Sequence, residues 1–216
     1  MVLTLPPLTR KRRIPAMVFI AIFIGVLYQF PIQVRIFQAS PLWPTAVDRA
    51  IPFIDWTIWV YCSYYVFLFL PFAVCRDNVR AARALYGLMA NSILGGLIFL
   101  AWPTAGVVQH PELEGLSGLL WSGLLSADRP TNYFPSLHVA NACICVFALG
   151  REKNAWRYVA PLWTFLIIVS TVTTKQHFFI DLPAGMVLAA FNFWLVRKGV
   201  RVEQRPKRHR QALSAR

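Results

Sequence analysis

The sequence predicts an all-α, polytopic membrane protein, six transmembrane helices in a bundle with both termini cytoplasmic, and three observations carry that expectation. Of its 216 residues, 57% are hydrophobic and only 14% charged, a composition outside the range of soluble domains. The apolar residues fall into six runs, at about 13–30, 52–74, 82–102, 135–150, 157–173 and 178–196. The Lys and Arg residues lie between those runs in an alternating pattern. Four precede the first run, three lie between the second and third, three between the fourth and fifth, and eight in the tail; only Arg35, Arg49, Arg129 and Lys175 fall on the other side. Basic residues collect on the cytoplasmic side of membrane proteins, which fixes the orientation of all six spans. The net charge of +13 therefore reflects topology, and no nucleic-acid partner is expected.

Each element follows from its own stretch. Residues 1–216 form a single six-span domain, with 197–216 as a basic cytoplasmic tail suited to anionic lipids. The first run follows Arg10-Lys11-Arg12-Arg13 and has no A-x-A cleavage signal after it, so it reads as a retained helix. Several runs are shorter than the ~20 residues a crossing helix needs, and each is expected to extend into its polar flanks. The third span carries Gly87, Asn91 and Gly95 at intervals of four beside Ser92 and Gly96, a small-residue face for helix packing or a groove for a lipid chain. Cys62, Cys75, Cys143 and Cys145 lie in or beside spans without metal-ligand spacing and read as small apolar fillers.

Chemistry concentrates outside the cytoplasm. The stretch Thr174 to Gly185, TKQHFFIDLPAG, places Lys175, His177 and Asp181 within seven residues at the end of a span, where ionisable groups are costly. On a helix, His177 and Asp181 would share one face. A carboxylate on one imidazole nitrogen fixes the tautomer and leaves the other nitrogen to attack or to take a proton. Pro183 bears on the geometry, since its ring would clash with the carbonyl of Phe179 in a continuous helix; the helix then starts at Asp181 or Leu182, and His177 lies in the turn before it. Asp181 as no more than a helix cap is the plainer alternative.

The long extracytoplasmic stretch from Pro103 to Phe134 ends in DRPTNYFPSLHVA. Pro135 and Ser136 signal a helix start, and its free N–H groups, those of Ser136 and Leu137 among them, make an anion site. His138, placed there, can give a proton to a phosphate ester oxygen. Alternating spans bring His138 and His177 to the same membrane face, with Lys175 and Arg129 as cationic ligands for an anion.

These residues resemble the type-2 phosphatidic acid phosphatase superfamily, the lipid phosphate phosphatases. Its second motif, PSGH, appears as Pro135-Ser136-Leu137-His138, and its third, S-R-x5-H-x3-D, as Ser170-Thr171, then His177 and Asp181 at the family spacing. Leu137 stands for the usual Gly and Thr171 for the phosphate-binding Arg, with Lys175 as a substitute cation. The first motif, K-x6-RP, has only Arg129-Pro130, with Ser122 at the Lys position, and His110-Pro111 is a second candidate. The spelling PSLH is more similar to the branch of inositol phosphorylceramide synthases and related bacterial proteins.

The resemblance implies a membrane enzyme that acts on a phosphorylated lipid without cofactor or metal, His177 being the nucleophile, Asp181 its orienter and His138 the proton donor. Lys175, Arg129, His110 and the amides of Ser136 and Leu137 would bind phosphate. Water as acceptor makes a phosphatase; a lipid hydroxyl makes a phosphotransferase. A proton relay or transporter and an inactive scaffold are the rival expectations. The implied location is the plasma membrane, the bacterial inner membrane, with the site on its outer face among membrane lipids.

Overall fold

The computed structural model describes residues 3–34, 36–108, 114–127 and 131–203. It is 69% helix. His110 and Arg129 lie outside the described residues, as does the tail from residue 204 onward.

The chain opens with a short strand, β1 (Leu3–Leu5), and a single 3-10 turn that leads into α1 (Arg13–Val34). Strand β2 (Ser40–Leu42) and the short helix α2 (Ala46–Ala50) follow. The second apolar run forms two helices, α3 (Thr57–Phe67) and α4 (Leu70–Val74). The break has a local cause: Pro71 cannot donate to the carbonyl of Phe67 and would clash with it. The amide of Phe69 turns instead to the carbonyl of Val66 at 3.1 Å. Next come α5 (Asn78–Ala101), capped by the side chain of Asp77, then β3 (Thr104–Gly106) and the surface helix α6 (Gly115–Ala127). The last three helices are α7 (Leu137–Leu149), α8 (Trp156–Thr173) and α9 (Asp181–Gly199), and β4 (Val200–Val202) closes the described chain.

Among the described residues, three helical stretches, Arg10–Val34, Asn78–Ala101 and Trp156–Thr173, are long and apolar enough to cross a membrane. Their outer faces carry large exposed apolar side chains: Ile14, Val18 and Ile22 on α1, Leu97 on α5, and Leu162 and Phe165 on α8. An apolar belt of this extent is foreign to a soluble monomer and suits hydrocarbon.

Helix α7 sits at the centre. All of its residues except Val146 and Phe147 are buried, and it packs on α5, α8 and α9 and touches α3 and α4. An apolar helix without a polar face belongs inside a bundle. Close approach of its neighbours depends on small residues. A methyl group added at Gly87 would meet Ile144 at 3.0 Å, one at Gly95 would meet Leu137 at 2.6 Å, and one at Gly96 would meet the Leu27 carbonyl at 3.2 Å. The small face of α5 therefore serves helix contact with α7 and α1.

Because lipid tails are as apolar as leucine, polar pairing as well as close packing holds such helices together. Asn192 Nδ2 donates to Asn91 Oδ1 at 2.9 Å, Asn91 Nδ2 to Asn141 Oδ1 at 3.1 Å, and Asn141 Nδ2 to the Tyr64 hydroxyl at 3.0 Å. This ladder crosses α9, α5, α7 and α3 through the buried interior, each rung contributing about 0.6 kcal/mol on average for such bonds. Nearby, Trp163 Nε1 donates to Ser63 Oγ at 2.8 Å and ties α8 to α3.

The bundle has two distinct ends. At one, β1 and β4 pair in parallel, Leu3 opposite Val200 and Leu5 opposite Val202, so the first and last described segments of the chain meet. Arg76, Arg80, Arg151 and Lys153 gather at this end around buried Glu152, which bonds Arg80 at 3.1 Å. At the other, β2 and β3 pair in parallel and α7 and α9 begin.

Candidate active site

Helix α9 starts at Asp181, so His177 lies in the turn before it, as the position of Pro183 implies. The turn itself is fixed by the end of α8: the amides of Gln176 and His177 both donate to the Thr171 carbonyl at 3.0 Å, while Lys175 takes a left-handed conformation with φ 57°. Asp181 is fully buried and His177 nearly so. Asp181 Oδ2 accepts from the Phe178 amide at 2.8 Å and lies 3.3 Å from His177 Nδ1, which also lies 3.0 Å from the Tyr133 carbonyl.

Two acceptors therefore flank one ring nitrogen. The proton of neutral His177 belongs on Nδ1, because an unprotonated Nδ1 would face two oxygen lone pairs without a hydrogen between them. Nε2 then carries the lone pair, and it makes no hydrogen bond among the described residues.

His138 enters from the first turn of α7. Ser136 caps that helix by accepting from the Val139 amide at 3.3 Å, and Phe134-Pro135 before it is cis. The His138 and His177 rings stand 5.7 Å apart between centroids, at 62°. His138 Nε2 is buried without a partner, and Nδ1 lies 3.4 Å from the Tyr61 hydroxyl. Tyr61 and Tyr64 pack on the imidazole at centroid distances of 4.6 and 4.5 Å.

The other phosphate-binding expectations meet mixed surroundings. The Ser136 amide donates to the Asp181 carbonyl at 3.3 Å, which links the two helix starts; the Leu137 amide opens α7, where no preceding turn supplies an acceptor. Thr171, at the position of the family Arg, is buried and donates to the Ile168 carbonyl at 2.7 Å. The Lys175 ammonium donates to the carbonyls of Asp48, at 2.7 Å, and Ile51, so one of its three hydrogens stays unengaged. His110 and Arg129 remain outside the described residues.

Sequence reasoning passed over the partner of Lys175. Asp48 is buried in α2, accepts from the Thr45 amide and hydroxyl through Oδ2, and accepts from the Phe179 amide through Oδ1 at 2.6 Å. Burial raises its pKa, yet the Thr45 and Phe179 hydrogen bonds and the Lys175 charge hold it below the ordinary carboxylate value. Burial likewise pulls Lys175 below an ordinary lysine, against the pull of Asp48. A depressed carboxylate contributes stability above its unfolded pKa, near ~3.9, and loses it as pH falls through the folded value. The thermal midpoint in detergent is expected to drop below about pH 4 in the native chain, and Asp48→Asn to flatten that limb while costing about 1–3 kcal/mol at neutral pH. An unchanged acid limb would remove Asp48 from this role.

Gly185 sets the spacing of the two helix starts. A methyl group there would stand 2.5 Å from the Ser136 carbonyl oxygen and 3.0 Å from Val139 Cβ, and neither can swing aside. Gly185→Ala is expected to push α7 and α9 apart, at about 1–3 kcal/mol. A displacement of ~1 Å between reacting groups lowers a rate on the order of 10²-fold. Thermal unfolding and turnover of the purified variant check both.

Beside His138 lies an apolar cavity of about 260 Å³, lined by Ile24, Gly25, Tyr28, Tyr65 and Leu68. Two histidines thus face each other at the starts of two helices, one of them against a buried carboxylate, beside an apolar cavity. A family model described as the PAP2 superfamily matches residues 34–195, more than half of the chain, and the protein belongs to that superfamily. Membership supports a phosphatase or phosphotransferase type of activity. No curated protein matches the chain.

Proposed function

We propose that the protein is a membrane lipid phosphatase that hydrolyses a lipid phosphomonoester or diphosphate through a phosphohistidine. The orientation of His177 carries this reading: with Asp181 and the Tyr133 carbonyl on Nδ1, Nε2 is the free nucleophile. Its lone pair attacks phosphorus, the P–N bond forms as the P–O bond to the lipid breaks, and protonated His138 gives its proton to the departing oxygen. Water then attacks phosphorus, loses a proton to His138 and releases His177. Arg129, His110, Lys175 through its remaining hydrogen, and the first-turn amides of α7 with Ser136 at its cap hold the phosphate oxygens; this positioned positive charge does what metal ions do at other phosphoryl-transfer sites.

A lipid substrate suits a headgroup site that opens beside an apolar cavity on a membrane-embedded bundle. In this reading six spans cross the bacterial inner membrane, with the α4–α5 and α7–α8 connections and both termini cytoplasmic. The pairing of β1 with β4, and the arginines gathered at that end, support it, and the catalytic end faces outward. Transfer to a lipid hydroxyl, as in the branch resembling inositol phosphorylceramide synthases, is the second reading, favoured by Leu137 and Thr171 at the motif positions of Gly and Arg.

The test is phosphate release from a panel of lipid phosphates in micelles with chelator, with and without diacylglycerol or ceramide. Free phosphate that requires His177 supports the phosphatase. A new phospholipid without free phosphate supports the transferase, and the absence of both products overturns the two readings together.

A further inference from the structure

The two histidines are held by different means. His177 is fixed by hydrogen bonds from opposite sides of Nδ1. His138 has one contact at Nδ1, at the long distance of 3.4 Å, and a buried Nε2 without a partner. A ring with so little bonding keeps its orientation only if its faces are enclosed. Tyr61, Tyr64 and Tyr65 supply the enclosure from consecutive turns of α3, the first two on the ring at 4.6 and 4.5 Å and the third edge-on at 6.2 Å.

Tyr64 is in turn anchored at its far end. Its hydroxyl accepts from Asn141, three residues beyond His138 on α7, and therefore on the same side of that helix. Asn141 is held by Asn91 on α5, and Asn91 by Asn192 on α9, the helix that begins at Asp181. All three asparagines are buried. The polar ladder thus ends at one side on the ring that encloses His138 and at the other on the helix that orients His177.

We propose that Tyr61 and Tyr64, backed by the Asn141–Asn91–Asn192 ladder, are positioning residues for His138 and hold its imidazole in the orientation from which it delivers a proton. The inference rests on the reading of His138 as proton donor. It separates from simple helix packing because proton delivery matters only when the leaving group needs a proton. An alkoxide must be protonated as it departs, whereas a nitrophenolate leaves unaided.

The experiment compares an alkyl lipid phosphate with a nitrophenyl phosphate ester, using the full chain in detergent micelles and the variants His138→Ala, Tyr64→Phe and Tyr61→Phe. Tyr64→Phe is expected to lower the single-turnover rate of alcohol release from the alkyl ester ~10–100-fold, with the half-saturating ester concentration unchanged and nitrophenolate release affected less than about threefold; the leaving group departs before the water step, in which His138 serves both esters alike. Tyr61→Phe, which breaks no rung of the ladder, carries the same expectation and serves alone if Tyr64→Phe does not fold. Equal loss on both esters, or no loss on either, overturns the inference. If His138→Ala shows the split between esters and the tyrosine variants do not, only the positioning role falls. If His138→Ala itself slows both esters equally, the proton-donor reading falls and the inference with it.

Discussion

Replacing His177 with alanine is expected to abolish turnover, with a loss on the order of 10⁶ in kcat when the variant is compared with the native chain, the scale seen when a nucleophile is removed from a catalytic unit. The effect is this large because no other described side chain combines a free imidazole nitrogen with a carboxylate on the opposite one. His138 lacks a carboxylate partner and faces tyrosines instead. The fold is expected to survive, since Asp181 Oδ2 keeps the Phe178 amide after the ring is gone. The decisive measurement is a single-turnover reaction with labelled lipid phosphate, quenched in base. On the proposed mechanism the native chain is expected to accumulate a base-stable, acid-labile phosphoprotein, and His177→Ala none. Full turnover in the variant would remove the covalent mechanism.

Asp181→Asn is expected to lower kcat by ~10⁴ while leaving KM nearly unchanged, as for other carboxylates that orient a histidine. The reason is the charge. Asp181 Oδ2 serves both the Phe178 amide and His177 Nδ1, so an asparagine oxygen in that place still accepts from both and puts its NH2 where Oδ1 lies buried without a partner. What is lost is the negative charge that stabilises the cationic imidazole formed as Nε2 bonds phosphorus. The substrate finds its phosphate ligands in place and a weaker nucleophile. Steady-state kinetics on native and variant protein separate the two parameters, and a change confined to KM would argue that Asp181 acts on binding instead.

Much of this arrangement is legible in the sequence, and what is not has physical reasons. The four-residue spacing of His177 and Asp181 suggests their contact, and Pro183 places the helix start at Asp181, so that the contact belongs to a turn. The break before Pro71 was equally open to reading, since proline leaves one carbonyl without a donor in any helix. The interior position of α7 is implied by its apolar composition, broken only by His138 and Asn141. By contrast, Lys175 looks like a phosphate ligand in sequence because nothing nearby competes for it. Its acceptors are carbonyls more than a hundred residues earlier, and a left-handed backbone turns the side chain toward them. The asparagine ladder hides similarly. Asn91, Asn141 and Asn192 each stand out in an apolar run, yet their pairing depends on how α5, α7 and α9 are rotated about their axes, which no local pattern fixes. Tyr61, Tyr64 and Tyr65 do show helical spacing, but only the crossing of α3 and α7 assigns their rings to His138.

The pairing of β1 with β4 has a mechanical consequence. The strands run in the same direction and in register from Leu3 and Val200, so tension applied before Leu3 and after Val202 pulls them in opposite senses along their length. The bonds between them, with the Glu203 amide on the Leu5 carbonyl, then bear the load together in shear instead of parting one after another. A clasp of three residues thus shields the first and last helices from a force that would otherwise peel them from the bundle separately.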